Sequence, residues 1–207
     1  MILASRKSSS ARANPSRKPT EPDTEEKRVR ILDAAQRLFL QYGVKRTSID
    51  DVASETGIAK GTVYLYFESK NDLFAALAQR ICAENFVAAR DVIAAEKPLN
   101  ERVVDFLDCY IGKVNRLVAH SPHLSELAAS KDAIAAGIYD DYNRRMRSML
   151  TGLLNEAGIA RPGVTDMFLA AAIGSLKTGS LAEKSYRARL VAIIDTLIVG
   201  LTQSEAR

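Results

Sequence analysis

Residues 43–70, GVKRTSIDDVASETGIAKGTVYLYFESK, constrain this chain more than any other stretch. Ser48 is a good helix N-cap, and Asp51 follows three residues later, where a carboxylate can close a capping box and meet the helix dipole. Ile49, Val52 and Ala53 then share one face, and the small Ala53 lets a second helix cross close by. Gly57 comes where a left-handed residue ends a short helix most easily. Ile58 can turn back into a core, and Val63 with Phe67, at i and i+4, anchor a second helix from beneath. Two short helices joined by a tight glycine turn, the second basic and flanked by aromatics, have the shape of a helix-turn-helix that docks in the DNA major groove.

With Val63 and Phe67 turned inward at about 100° per residue, Gly61, Thr62 and Leu65 point away, flanked by Lys60, Tyr64 and Tyr66. Gly61 lets the helix start approach DNA. Thr62 and the first-turn N–H groups suit phosphate oxygens. Lys60 can reach a base edge or a phosphate, the two tyrosines offer hydroxyls at backbone distance, and Leu65 can meet a thymine methyl. Lys70, just past the helix, is placed for another phosphate. Spacing alone leaves open a plain helical hairpin with a polar, wet face.

Thr47-Ser48-Ile49-Asp50-Asp51-Val52-Ala53, then Gly57-Ile58-Ala59-Lys60-Gly61-Thr62-Val63-Tyr64-Leu65-Tyr66-Phe67 and Ser69-Lys70, resemble the DNA-binding signature of the tetracycline-repressor (TetR) family. Upstream, Ile31-Leu32-Asp33-Ala34-Ala35, Leu38-Phe39 and Tyr42-Gly43 are similar to that family's first helix. The likeness covers roughly residues 25–85, with many positions in register. It implies that Thr47, Ser48, Lys60, Gly61, Thr62, Tyr64, Tyr66 and Lys70 contact DNA; Leu65, also a candidate, falls at a variable position of the signature.

Charge points the same way. Residues 1–70 hold thirteen Lys and Arg against nine Asp and Glu, whereas residues 71–207 hold sixteen of each. The whole net charge of +4 therefore sits with the candidate DNA-binding part, as phosphate neutralisation requires. Residues 1–24 form a basic, Ser- and Pro-rich tail with Arg6, Lys7, Arg12, Arg17 and Lys18, too poor in apolar residues to order itself. It reads either as an arm for DNA, as an idle tail, or as the product of a mis-set start codon.

Beyond the tail the pattern is all-α. Helices are expected at about 25–42, 48–67 (the helix-turn-helix), 70–95, 99–120, 123–130, 132–157, 164–181 and 184–203, punctuated by Pro98, Pro122, Gly158 and Pro162-Gly163. The expected organisation is a tail (1–24), a three-helix DNA-binding domain (25–85) and a larger helical effector-binding and dimerisation domain (86–207). The last two helices are apolar nearly all round and need cover on two sides, from the chain's own core or from a second subunit. The resemblance favours a four-helix homodimer interface, for which Phe168, Ala172, Leu176, Leu190, Ile194, Leu197, Ile198 and Leu201 are the candidates.

The middle of the chain matches nothing at the residue level. The resemblance implies a small-molecule pocket there, and Phe86, Phe106, Tyr110, Tyr139, Tyr142 and Phe168 are the candidate lining, although aromatics at helical spacing usually pack as core. A hydrophobic or aromatic effector would suit such walls. Cys82 and Cys109 lack a CxxC or secretory context. His120, His123 and Glu126 are interrupted by Pro122, so neither a metal nor another cofactor is expected. No catalytic constellation appears, and no run of about 18 apolar residues suggests a membrane span. The combined expectation is a cytoplasmic, ligand-responsive, sequence-specific transcriptional regulator, a repressor on a near-palindromic double-stranded operator. An architectural DNA binder, or a helical enzyme or carrier with a vestigial motif, is the alternative.

Overall fold

The computed structural model describes residues 21–159, 161–178 and 183–203. The basic tail through residue 20 lies outside the described residues, as does the expected end of the helix at 164–181. All regular structure among the described residues is helical: α1 (Glu21–Tyr42), α2 (Ile49–Thr56), α3 (Lys60–Tyr66), α4 (Lys70–Ala94), α5 (Leu99–Leu107), α6 (Lys113–Ala119), α7 (Leu124–Ile134), α8 (Ala136–Glu156), α9 (Val164–Lys177) and α10 (Glu183–Gln203). The expected single helix at 99–120 is widened by a π-turn at Asp108–Gly112 between α5 and α6. Beside it the carboxylate of Asp108 pairs with Arg116 at 2.5 Å, mostly out of solvent, and the Arg116 guanidinium lies over the ring of Tyr186. The boundary expected at 130–132 falls at Ala135 instead. That residue is 1% exposed and has non-helical ψ, so its small side chain lets the chain bend against the core.

Two apolar cores organise these helices. The first gathers Ile31, Leu32, Ala35 and Phe39 of α1, Ile49 and Val52 of α2, Val63 and Phe67 at α3, and Leu73, Phe74 and Leu77 of α4. The second gathers Cys82 and Ala89 of α4 with Val103, Phe106, Met146, Leu150, Phe168, Tyr186, Leu190 and Ile194 from α5 and α8–α10. Helix α4 thus enters the first core with its N-terminal half and the second with its C-terminal half.

The packing of α9 and α10 removes four residues from the expected dimer face. Phe168, Ala172, Leu190 and Ile194 are all 0% exposed within one chain, so they belong to its own core and cannot meet a partner. Leu176, Leu197, Ile198 and Leu201 are half-buried against that same core. The most continuous apolar stripe on a two-sided helix is the one that packs internally. What remains outside on these helices is a second, shorter set: Met167, Ile173, Ile193 and Val199.

Leu32 and Leu150 are each fully buried, one per core. Replacing either with Ala should destabilise the fold by about 2–5 kcal/mol in urea unfolding. Leu65→Ala, at a position 85% exposed, should move stability by no more than about 0.5 kcal/mol.

Candidate nucleic-acid interface

The α2–α3 unit is fixed locally before it is fixed by packing. The Ser48 hydroxyl accepts the Asp51 N–H at 3.2 Å, and the Asp51 carboxylate accepts the Ser48 N–H at 2.7 Å, closing the capping box. Hydrogen bonds from the Ser48 side chain and backbone hold the Asp51 carboxyl below its ordinary range. Gly57 ends α2 with φ 66, and the next residue, Ile58, donates back to the Ala53 carbonyl at 3.1 Å. A β-carbon there would be strained, which is why glycine occupies the turn. Val63, at 0% exposure, and Phe67, at 4%, then seat α3 on the first core.

Seated this way, α3 presents Lys60, Gly61, Tyr64 and Leu65 to solvent, with Thr62 and Tyr66 half-buried at the edges. No side chain caps its first turn. The Lys60 ammonium lies 2.9 Å from the Asp50 carboxylate, which raises the lysine pKa by hydrogen bond first and by charge second. Lys60 therefore stays cationic, but a phosphate must compete with Asp50 for it.

Two candidates sit differently from the rest. Thr47 is only 2% exposed, and its hydroxyl donates to the Gly43 carbonyl at 2.7 Å. Its side chain braces the α1–α2 loop and is not offered to DNA. Lys70 donates to the carbonyls of Lys45 (3.1 Å) and Thr47 (2.9 Å). Two of its three N–H donors are thereby committed to that loop, leaving one for a phosphate. Ser48 is exposed at the head of α2, its hydroxyl already engaged with Asp51.

Below this surface lies a cavity of about 920 Å³ with mostly apolar walls. Of the six aromatic candidates, Tyr110, Tyr139 and Tyr142 line it. Phe106 and Phe168 are wholly buried core, and Phe86 lines a separate cleft of about 390 Å³, with the Arg145 guanidinium 3.9 Å from its ring centroid. The cavity's floor and its far wall come from residues outside the expected lining. Gln36, Phe39 and Leu40 of α1 and Phe74, Leu77 and Ile81 of α4 face it, as do Leu124, Leu127 and Lys131 of α7. No local pattern marks these residues, because their apolar spacing is that of any core helix. Burial pushes the Tyr139 hydroxyl up to about 12 and raises Tyr110 and Tyr142 as well, so all three remain protonated donors. Tyr110 spends its proton on Asn143 at 3.2 Å. Arg147 is paired with Asp166 at 2.7 Å, and the Lys131 ammonium rests 4.9 Å from the Tyr139 ring centroid. Burial pushes the Cys82 thiol up to about 11 and raises Cys109 for the same reason, which favours the protonated thiol over the thiolate at both.

A core-seated α3 behind a capped α2 defines a helix-turn-helix DNA-binding module. Residues 31–77 match the model of the bacterial regulatory proteins of the tetR family. Over 55 residues the chain is 44% identical to the HTH-type transcriptional regulator AcrR of Shigella flexneri, covering 27% of this chain and 26% of that protein. It is 30% identical over 136 residues to the HTH-type transcriptional repressor KstR of Mycolicibacterium smegmatis, covering 63% and 64%. The chain thus spans about a quarter of the first relative's length and under two thirds of the second's. Among solved structures, a Rhodococcus transcriptional regulator superposes with a TM-score of 0.65 at 17% identity, covering 84% of this chain and 96% of that one. A Saccharomonospora viridis regulator in complex with choline gives 0.59 at 20% identity, covering 83% and 96%. Residues 31–77 are thus similar to the DNA-binding segment of tetR-family regulators, and the fold of the whole chain is that of solved transcriptional regulators. Its relatives are transcriptional regulators rather than enzymes, and no described helix is long and apolar enough to cross a membrane.

The capping box makes a pH-dependent prediction. Because the folded Asp51 pKa is depressed, its contribution is present above the unfolded value of about 4 and is lost as pH falls through the folded value. Ser48→Ala should therefore lower the thermal midpoint at neutral pH, and the gap to the parent should narrow as the pH is taken below about 4.

Proposed function

We propose that this chain is a homodimeric, sequence-specific transcriptional repressor that leaves a near-palindromic operator when a small hydrophobic molecule occupies its cavity. The observation that carries this reading is the outward face of α3, held rigid by Val63 and Phe67 beneath it. Lys60, Gly61, Thr62, Tyr64, Leu65 and Tyr66 face the major groove, Ser48 and Lys70 flank it on the backbone, and Thr47 supports them from inside. The partner subunit covers the outer side of α9 and α10, where Met167, Ile173, Ile193 and Val199 are exposed. Pairing there sets two recognition helices one or more DNA turns apart. An effector that favours a different spacing withdraws population from the bound form by no more than its differential affinity.

Selection of bound sites from random duplex DNA at physiological salt tests the core of this reading. A near-palindromic consensus is the expected outcome; binding without enrichment, fading smoothly as salt rises, would overturn sequence-specific regulation. On the selected site, Lys60→Ala and Lys70→Ala should each weaken binding and make the salt slope shallower by about one unit, read by fluorescence anisotropy across a salt series. Ile193→Glu, on the outer face, should convert the dimer to a folded monomer in analytical ultracentrifugation.

A further inference from the structure

The segment between α6 and α7 holds the α1–α2 loop through two side chains. Ser121 donates to the carbonyl of Leu40, in the last turn of α1, at 2.6 Å. Glu126, in the first turn of α7, accepts the backbone N–H of Lys45 at 2.5 Å. The Glu126 carboxylate reaches this N–H by lying flat against Gly43, where a β-carbon would stand 2.7 Å from Oε2. Gly43 also has φ 83, a left-handed turn that favours glycine, and its missing side chain leaves room for the Glu126 carboxylate.

The same segment is cavity wall. Leu117 and Val118 precede Ser121, and Leu124 and Leu127 bracket Glu126; all four line the 920 Å³ cavity, as does Leu40 itself. On its other side, the loop held by Glu126 is held also by Lys70 of α4, through the carbonyls of Lys45 and Thr47, and it runs directly into the Ser48 cap of α2. A molecule that parts α7 from α1 must therefore stretch or break the Ser121 and Glu126 bonds. Their loss leaves Lys70 and Thr47 as the remaining ties on the loop that sets where α2, and α3 behind it, sit on the end of α4.

We propose that Ser121 and Glu126 form a two-point clasp through which occupancy of the cavity is passed to the helix-turn-helix, with Glu126 as the positioning residue at the loop. The inference rests on the reading that α3 binds DNA and that the cavity takes the effector. It assigns the coupling to hydrogen bonds from α7 and the preceding loop to the backbone of residues 40–45. The domain contact is thus directional, and the ligand need not touch the DNA-binding surface.

The test uses full-length protein, a selected operator duplex, and anilinonaphthalene sulfonate as a fluorescent apolar probe for the cavity. The quantity read is the factor by which saturating probe changes operator affinity. In the parent it should be at least about fivefold, within the ordinary range for coupled sites. In the Ser121→Ala/Glu126→Ala double variant it should fall to within about twofold of unity, with probe affinity close to the parent's and a lowered thermal midpoint that still leaves the protein folded at the assay temperature. Glu126→Gln, whose amide oxygen can still accept the Lys45 N–H, should restore most of the coupling to the single Glu126→Ala variant. Full coupling in the double variant, or a Glu126→Gln variant as uncoupled as Glu126→Ala, would overturn the clasp while leaving DNA binding and cavity occupancy intact. So would a parent that binds probe and operator together with no mutual effect. A parent that fails to bind operator, or fails to bind probe, would instead remove the DNA-binding or the cavity reading, and the clasp with it.

Discussion

Helix α4 is buried at both ends in different cores, and that continuity is what makes one object of a DNA-binding module and a helical body. Leu73, Phe74 and Leu77 are locked among α1–α3, and Cys82 and Ala89 among α5 and α8–α10, on a single 25-residue helix. Interiors pack as densely as organic crystals, so neither end of α4 can tilt without repacking its core. Displacement of the recognition helix relative to the body therefore has to occur at the softer junctions. These are the loop at residues 43–47 and the contact of α6–α7 with α1. There hydrogen bonds to backbone act together with the apolar packing of Leu127, Ile134 and Ala135 on the first core, and an ion pair nearby, Arg80 with Asp33 at 2.6 Å, ties α4 to α1.

The parts of the molecule legible in the sequence were those decided within about twenty residues. The cap at Ser48, the glycine at 57 and the buried pair Val63 and Phe67 are local devices, and the spacing that predicts them also determines which side of α3 faces out. The cavity was not legible in the same way. Tyr110, Tyr139 and Tyr142 reach it while Phe106 and Phe168 are core, and all five have the same kind of helical spacing. The difference arises from how α1 and α4 of the first core close one side of the space, a non-local fact. Four of the eight residues expected at the dimer face lie in the chain's own core for a related reason. Periodicity reveals that α9 and α10 have two apolar sides but not which is the inner one, and the stronger stripe, Phe168, Ala172, Leu190 and Ile194, went inward because burying it returns the most hydrophobic free energy.

Local reading also overstated how much of the basic charge is available to DNA. Lys60 is engaged with Asp50, and Lys70 with two carbonyls. Both interactions lie at or near the surface, where solvent screening leaves an exposed pair with little net worth. A phosphate can therefore displace Asp50 at small cost, but the carboxylate left behind stays in the interface and repels the backbone. On the DNA-binding role proposed for α3, such a group would penalise every sequence alike, so base-edge contacts by the rest of α3 would gain relative weight over indiscriminate phosphate attraction.

The size of the clasp bears on how strongly the two sites can be linked. A neutral hydrogen bond such as Ser121 to the Leu40 carbonyl contributes a net of about 0.5–1.5 kcal/mol, and one to an ionised carboxylate such as Glu126 contributes about 1.5–3 kcal/mol. Together they set a ceiling of about 2–4.5 kcal/mol on what their rupture can transmit. Coupling free energies between regulatory sites are typically about 1–3 kcal/mol, so two bonds suffice and a remodelled core is not required. The ceiling also limits the ligand. However tightly a molecule fills the apolar cavity, only the part of its affinity that differs between the clasped and unclasped forms moves the recognition helix. Contacts to Phe74 or Ile81 of α4, on a wall fixed in both forms, therefore add affinity without response. Under the proposed clasp, contacts to Leu124 and Leu127, on the wall that carries Glu126, would be the ones that convert binding into release.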